Sequence, residues 1–326
     1  MLGRPFGIEF PQKGMGKFCK IGLALGGGGA RGLAHLGVLC ALEREGIPID
    51  LLLGTSMGAL VASVYALTPR CDFVIDRFRR YFESEEFKRS NPEFLHFHDH
   101  EEMPLYEGIF QRFASFIKRG IFYSQSLTKK APVSEEVFSQ NINFLVDDVE
   151  IQQTKIPLAI VALDLISTQE VVMREGPLRT AVQASCAIPG ILPPVKIGDR
   201  ELVDGGWIDR VPIGPAVEMG ADLVIAVDVA EGLSDREDFN TGLGIVLRTN
   251  DIARLALGRL QLKEADVVIC PDVSGVHWSD FGHLDKCLAA GEQATREKLD
   301  EIKSRAKKKK LKKIFGVLRG HLFSSR

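Results

Sequence analysis

The pentapeptide Gly54-Thr55-Ser56-Met57-Gly58 constrains this chain more than any other stretch, because of what flanks it. Ile49 to Leu53, apolar apart from Asp50, reads as a buried strand, and Ala59 to Leu67 reads as a helix. A strand that turns directly into a helix carries one residue at a strained apex with its side chain exposed. Glycines on both sides remove the Cβ atoms that would block so tight a turn. A serine held there is presented as a nucleophile, with a helix N-terminus beneath it to favour developing negative charge. The same residues also fit a plain Gly-Ser turn opening a helix, so other parts of the chain must decide.

A second glycine cluster, Gly26-Gly27-Gly28-Gly29-Ala30-Arg31-Gly32, follows an apolar run from Lys20 to Leu25 and precedes a helical pattern from Leu33 to Glu45. Consecutive glycines let backbone N–H groups converge on one anion at a helix N-terminus. A Walker loop would end in Gly-Lys-Ser/Thr, which is absent here. A dinucleotide fingerprint fits Gly27, Gly29 and Gly32 but wants an acid at the carboxyl end of the second strand, and Asp50 lies at its amino end. An oxyanion hole serving Ser56 uses both glycine motifs in one geometry. In a parallel sheet the carboxyl ends of both strands open on the same edge, which predicts the two loops side by side.

The strand–helix–strand–helix start predicts an α/β fold with a parallel-rich central sheet flanked by helices. Further strands are expected at Leu158 to Leu163, Val171 to Met173, Glu201 to Val203, Leu223 to Val229 and Asp266 to Cys270. Helices are expected at Leu178 to Cys186, Pro212 to Met219 and Leu284 to Lys303. Residues 69–154 are rich in phenylalanine at helical spacing and predict a helical insertion, either a cap or a helical layer of the core. Within it, His96-Phe97-His98-Asp99-His100 reads as a solvated turn rather than a metal site, and no metal or cofactor is expected.

A nucleophilic serine needs a base. None of the seven histidines follows a strand pattern that marks it as a partner. Asp204, at the end of a short apolar strand and followed by Gly205 and Gly206, is the best acid, although Asp-Gly-Gly is also an ordinary hairpin turn. An unperturbed aspartate is a poor base at neutral pH, so this role requires burial and a hydrogen bond to Ser56.

At this point the chain resembles a known family. Gly27 to Gly32, Gly54 to Gly58, Ala184-Ser185-Cys186-Ala187-Ile188-Pro189 and Asp204-Gly205-Gly206 are similar, in order and spacing, to the four blocks of the patatin-like phospholipases. Asp164 and Ile225-Ala226-Val227-Asp228-Val229 further resemble the bacterial branch related to neuropathy target esterase. The likeness extends over about residues 18 to 230 and less clearly to 300. Gly26 adds a glycine to the loop, and Leu163 stands where that branch often has threonine.

The resemblance implies a three-layer hydrolase with a Ser56–Asp204 dyad acting on fatty acyl esters of phospholipids or lysophospholipids. It implies N–H donors from Gly27, Gly28 and Gly29 for the oxyanion, a structural or anion-orienting Arg31, and a scaffolding role for 184–189. Gly32, Gly54, Gly58, Gly205 and Gly206 support these turns. A Ser-His-Asp esterase with His277 or His283 as base, and a non-catalytic lipid-binding protein, remain as alternatives.

Charge is distributed unevenly. Ten of the 41 Lys and Arg fall between Ile302 and Arg326, which holds no acid, while all 43 acids lie in the body. Leu311, Ile314, Phe315, Leu318 and Leu322 repeat at helical spacing, so the tail predicts an amphipathic helix for an anionic membrane, contacting it through Lys308, Lys309, Lys312, Lys313 and Phe315. Nucleic acid is not an expected partner. The organisation read from the chain is an N-terminal extension (1–17), a hydrolase domain (18–300, with 69–154 cap-like) and a basic tail (301–326). No secretory signal or transmembrane run is evident, and the six scattered cysteines read as reduced thiols of a cytoplasmic, peripherally membrane-associated protein.

Overall fold

The computed structural model describes residues 19–90, 133–230 and 242–323. One eight-stranded sheet is built from β1 (Ile21–Leu25), β2 (Leu51–Thr55), β3 (Leu158–Asp164), β4 (Glu170–Met173), β5 (Val195–Ile197), β6 (Arg200–Asp204), β7 (Leu223–Val227) and β8 (Val267–Ile269). Its order is β5-β6-β3-β2-β1-β7-β8, with β4 also on β3. The pairs from β3 through β2, β1 and β7 to β8 are parallel, and those made by β4, β5 and β6 are antiparallel.

Registers on β3 explain how distant segments meet. β2 pairs with 158–161 of β3, and β4 with 160–163, so these two occupy opposite edges. β6 pairs with 162–164 and therefore shares the edge of β2. Thr55 stands opposite Val161, and Asp204 stands opposite Ala162, the next position along. Because β6 runs antiparallel, its carboxyl end abuts the carboxyl end of β2.

The central strands are buried on both faces, as parallel strands covered by two helical layers must be. Leu23, Leu52 and Ile225 point into the larger core, while Ala24, Leu53 and Ala226 point into the smaller one. The larger layer contains α1 (Ala34–Arg44), α2 (Met57–Leu67), α3 (Cys71–Glu83), α4 (Glu85–Ser90), α5 (Glu135–Leu145) and α6 (Leu178–Cys186). Short α7 (Ile213–Glu218) covers the other face. Two more helices follow, α8 (Gly242–Gln261) and α9 (Leu284–Phe323). α1 and α9 pack closely because Gly37 and Gly291 lack side chains; a Cβ on either would run into the Leu288 or Ala34 carbonyl.

Several expectations need correction. Cys40 of α1 and Cys71 of α3, expected as separate thiols, lie side by side with Cα atoms 5.2 Å apart, within the range a disulfide spans. The final helix does not stop near Lys303 but continues unbroken to Phe323. On that helix Lys309 pairs with Asp266 at 2.8 Å, and Lys313 with Asp222 at 2.7 Å. These two lysines therefore face the body, drawn by acids at the sheet edge. Lys308, Leu311, Lys312 and Phe315 are exposed on the other side. The α8 helix lies in a stretch where no element was expected. The extension 1–17 and the motif 96–100 lie outside the described residues. Among the described residues no helix is long and apolar enough to cross a membrane.

Candidate active site

Ser56 lies between β2 and α2 with φ +54° and ψ −124°, a left-handed conformation that L side chains rarely adopt. The surroundings enforce it. A Cβ at Gly54 would come within 2.5 Å of the Ala59 backbone, and one at Gly58 would strike the Leu25 carbonyl. The serine is 7% exposed, at the end of a cleft lined by Leu60, Phe82, Phe138, Ile142, Ile188 and Trp278. That lining is apolar and largely aliphatic or aromatic, suited to a hydrocarbon chain.

The Asp204 carboxylate, 4% exposed, lies beside the Ser56 side chain. Asp204 Oδ1 accepts the Gly206 N–H at 2.8 Å. Burial pushes Asp204 up to about 6; the neighbouring Ser56 hydroxyl, the Gly206 N–H and the charge of Arg254 pull the other way and only partly offset it. A carboxylate at that value is ionised near neutrality yet holds a proton far better than a solvated one.

The glycine loop lies beside the elbow, and a Cβ on Gly27 would be 3.2 Å from that of Ser56. Of the three expected oxyanion donors, Gly27 requires correction: its N–H donates to the Arg210 carbonyl at 3.0 Å. Gly28 and Gly29 open the 3-10 turn Gly29–Leu33, and among the described residues their N–H groups have no backbone acceptor. Gly29 has φ +57°, and its missing side chain makes room for the Trp278 carbonyl. Arg31 Nε donates to the Val276 carbonyl at 2.8 Å, and Ala30 N–H to Trp278 O at 2.7 Å. Arg31 thus ties the glycine loop to the segment that supplies Trp278 to the cleft.

Two supporting residues escaped the reading of the sequence. Fully buried His35, the second residue of α1, bonds the Gly26 carbonyl through Nε2 at 2.7 Å. Burial lowers it to about 4, so it is neutral and Nε2–H is the donor. Ser185, read only as scaffold, accepts the backbone N–H of Ser56 itself. The histidines considered as bases are engaged elsewhere: His277 Nδ1 contacts Ser279 Oγ at 2.8 Å, and His283 Nε2 contacts Asp280 at 3.0 Å.

An elbow serine and a buried aspartate on one edge of a mostly parallel sheet define a hydrolase-like α/β layout. Residues 23–217 match the patatin-like phospholipase family, and the chain belongs to that family. An uncharacterized NTE family protein of Mycobacterium tuberculosis is 34% identical over 212 residues, covering 64% of this chain and 49% of that one. Patatin-like phospholipase domain-containing protein 6 of Homo sapiens is 32% identical over 224 residues, 68% of this chain and 14% of that one. A lysophospholipase of Debaryomyces hansenii is 30% identical over 226 residues, 68% of this chain and 12% of that one. The chain thus spans half or less of the length of these relatives.

Proposed function

We propose that this protein hydrolyses fatty acyl esters of phospholipids or lysophospholipids, with Ser56 as nucleophile and Asp204 as base. The observation that carries the reading is a strained elbow serine on the lining of an apolar cleft, beside a buried carboxylate shifted to about 6. Ser56 Oγ attacks the ester carbonyl while Asp204 takes its proton. The oxyanion forms within reach of the Gly28 and Gly29 N–H groups. Such donors are worth about 3–4 kcal/mol of barrier each. Asp204 then passes the proton to the departing alcohol, leaving an acyl-Ser56. It next deprotonates a water that attacks the acyl carbon, and the fatty acid leaves as Ser56 regains a proton.

The lysophospholipase among the relatives supports a lipid substrate. The exposed Lys308, Lys312 and Phe315 support peripheral contact of α9 with an anionic membrane, at about 1 kcal/mol per basic residue near the surface. The test is hydrolysis of a medium-chain reporter ester and a lysophospholipid by wild type, Ser56→Ala and Asp204→Asn. Loss of turnover in both variants, each still folded, is the expected result. Equal turnover in all three removes the dyad, and turnover lost only on replacing His277 or His283 would move the base there.

A further inference from the structure

Helix α8 (Gly242–Gln261) is built inside out. Its inward side is polar: the Arg254 guanidinium sits 4.5 Å over the Trp207 ring, and Gln261 Nε2 donates to the Ile208 carbonyl at 2.9 Å. Gly258 lies against the Arg210 guanidinium, so close that a Cβ there would be 2.9 Å from Nη2. Its outward side carries Ile245 (50% exposed), Val246 (61%), Ile252 (49%), Leu257 (38%) and Leu260 (58%). At about 100° per residue these five fall within roughly 140° of the helix circumference. Asp251, the helix's one acid, lies outside that arc, in the part-buried row with Arg254. Arg248 and Arg259 border the arc on one side. Exposed Thr249 also lies in the arc, its hydroxyl turned back onto the Val246 carbonyl at 2.9 Å. A largely apolar helix face in water, among the described residues, is the mark of an interaction site.

We infer that the outward face of α8 docks this protein on a lipid surface. Length weighs against a second copy of the chain as the occupant. Twenty residues make a strip about 30 Å long and 10 Å wide. Paired with itself, that strip buries on the order of 600 Å², about half of what a stable protein interface needs. A lipid surface has no such minimum, since each side chain partitions separately. Exposed Arg259, at the border, fits anionic headgroups. Position points the same way. Through Trp207 the helix rests on the turn that follows Asp204, and through Arg210, whose carbonyl accepts the Gly27 N–H, on the glycine loop. Docking by α8 would bring lipid to the sheet edge that holds Ser56.

The inference rests on the proposed lipid substrate, but its test reads binding without turnover. Full-length Ser56→Ala protein is floated with vesicles of phosphatidylcholine and phosphatidylglycerol. The α8 variant Ile245→Glu/Ile252→Glu/Leu260→Glu and the α9 variant Leu311→Glu/Phe315→Glu are compared in the same background. The α8 variant is expected to lower the vesicle-bound fraction at least tenfold, and to do so also in 0.5 M salt, where headgroup attraction through α9 is screened. A conservative Ile252→Trp protein, compared with its parent, should show an added blue shift of emission on mixing with vesicles. Undiminished binding of the folded α8 variant overturns the inference. So does an Ile252→Trp emission unchanged by vesicles, or an α8 face that instead drives a dimer abolished by the same substitutions. Loss of hydrolysis in Ser56→Ala without loss of flotation would leave catalysis and docking separately established.

Discussion

The backbone N–H of Ser56 donates to the hydroxyl of Ser185 at 2.8 Å, and that hydroxyl donates onward to the Val161 carbonyl at 2.6 Å. Ser185 is fully buried on α6, so one side chain ties the strained elbow to strand β3. A left-handed serine keeps its geometry only while its neighbours over-determine it. Replacing Ser185 by alanine leaves the Ser56 N–H without its acceptor, at a cost of about 1–3 kcal/mol. Ser185→Ala should therefore lower kcat by roughly ten- to a hundredfold with little change in KM, since the cleft is untouched and only the nucleophile shifts. Steady-state kinetics on a soluble ester check this. An unchanged kcat in a destabilised protein would reduce Ser185 to a packing residue.

In the proposed mechanism Asp204 must be ionised to accept the serine proton, and burial raises its carboxyl to about 6. In the free enzyme, kcat/KM should therefore rise with pH and level off above roughly pH 6–7. A pH–rate profile already flat from pH 4.5 upward would mean that the group which accepts the proton is not this carboxyl. Asp204→Asn keeps an oxygen for the Gly206 N–H but cannot take a proton, and should fall to background at every pH.

Much of this site was legible in the sequence because it is local. The glycines around Ser56 and the apolar runs before each turn state their geometry within a few residues, and β1, β2, β3 and β7 follow from them. What the sequence did not disclose depends on contacts between distant segments. Nothing near Asp204 says that β6 shares an edge of β3 with β2, which sets the aspartate beside Thr55. Gly27 has the same local signature as Gly28, yet its N–H is taken by Arg210, 183 positions further along. Lys309 and Lys313 read as part of a basic face until Asp266 and Asp222 claim them. Helix α8 hides because its apolar side faces outward and its polar side inward, reversing the pattern on which core helices are found.

A carboxyl pair lies behind the elbow. Asp209 is buried beside Glu170, and its own carbonyl accepts the Thr55 hydroxyl at 3.0 Å. Burial and the neighbouring Glu170 push Asp209 up to about 8, so the pair shares one proton at neutrality. The folded protein then binds that proton more tightly than the unfolded chain, and stability falls as pH rises through about 8. Thermal unfolding should show wild type losing Tm between pH 7 and 9, while Asp209→Asn, which needs no proton, loses much less. Parallel Tm curves for the two proteins would show that the pair is not protonated in the native state.

Asp204 and His35 are both buried and should imprint opposite slopes on stability. The Asp204 carboxyl, raised to about 6, binds its proton more tightly in the native state, so its contribution is lost as pH climbs from about 4 to 6. The His35 imidazole, lowered to about 4, must stay neutral to donate to Gly26, so its contribution is lost as pH falls from about 6.5 to 4. Each shift exceeds two pKa units and amounts to on the order of 3 kcal/mol. The two therefore nearly cancel in wild type, and single substitutions expose them. Relative to wild type, Asp204→Asn should gain stability as pH rises from 4 to 6 and hold that gain above it. His35→Gln, whose amide can still donate to the Gly26 carbonyl, should gain at pH 4 and lose the gain by pH 6.5. Denaturant unfolding of both variants at four pH values between 4 and 7 measures the two slopes. Mirror-image difference curves establish that both groups are buried in these charge states, and two difference curves of the same sign would contradict it.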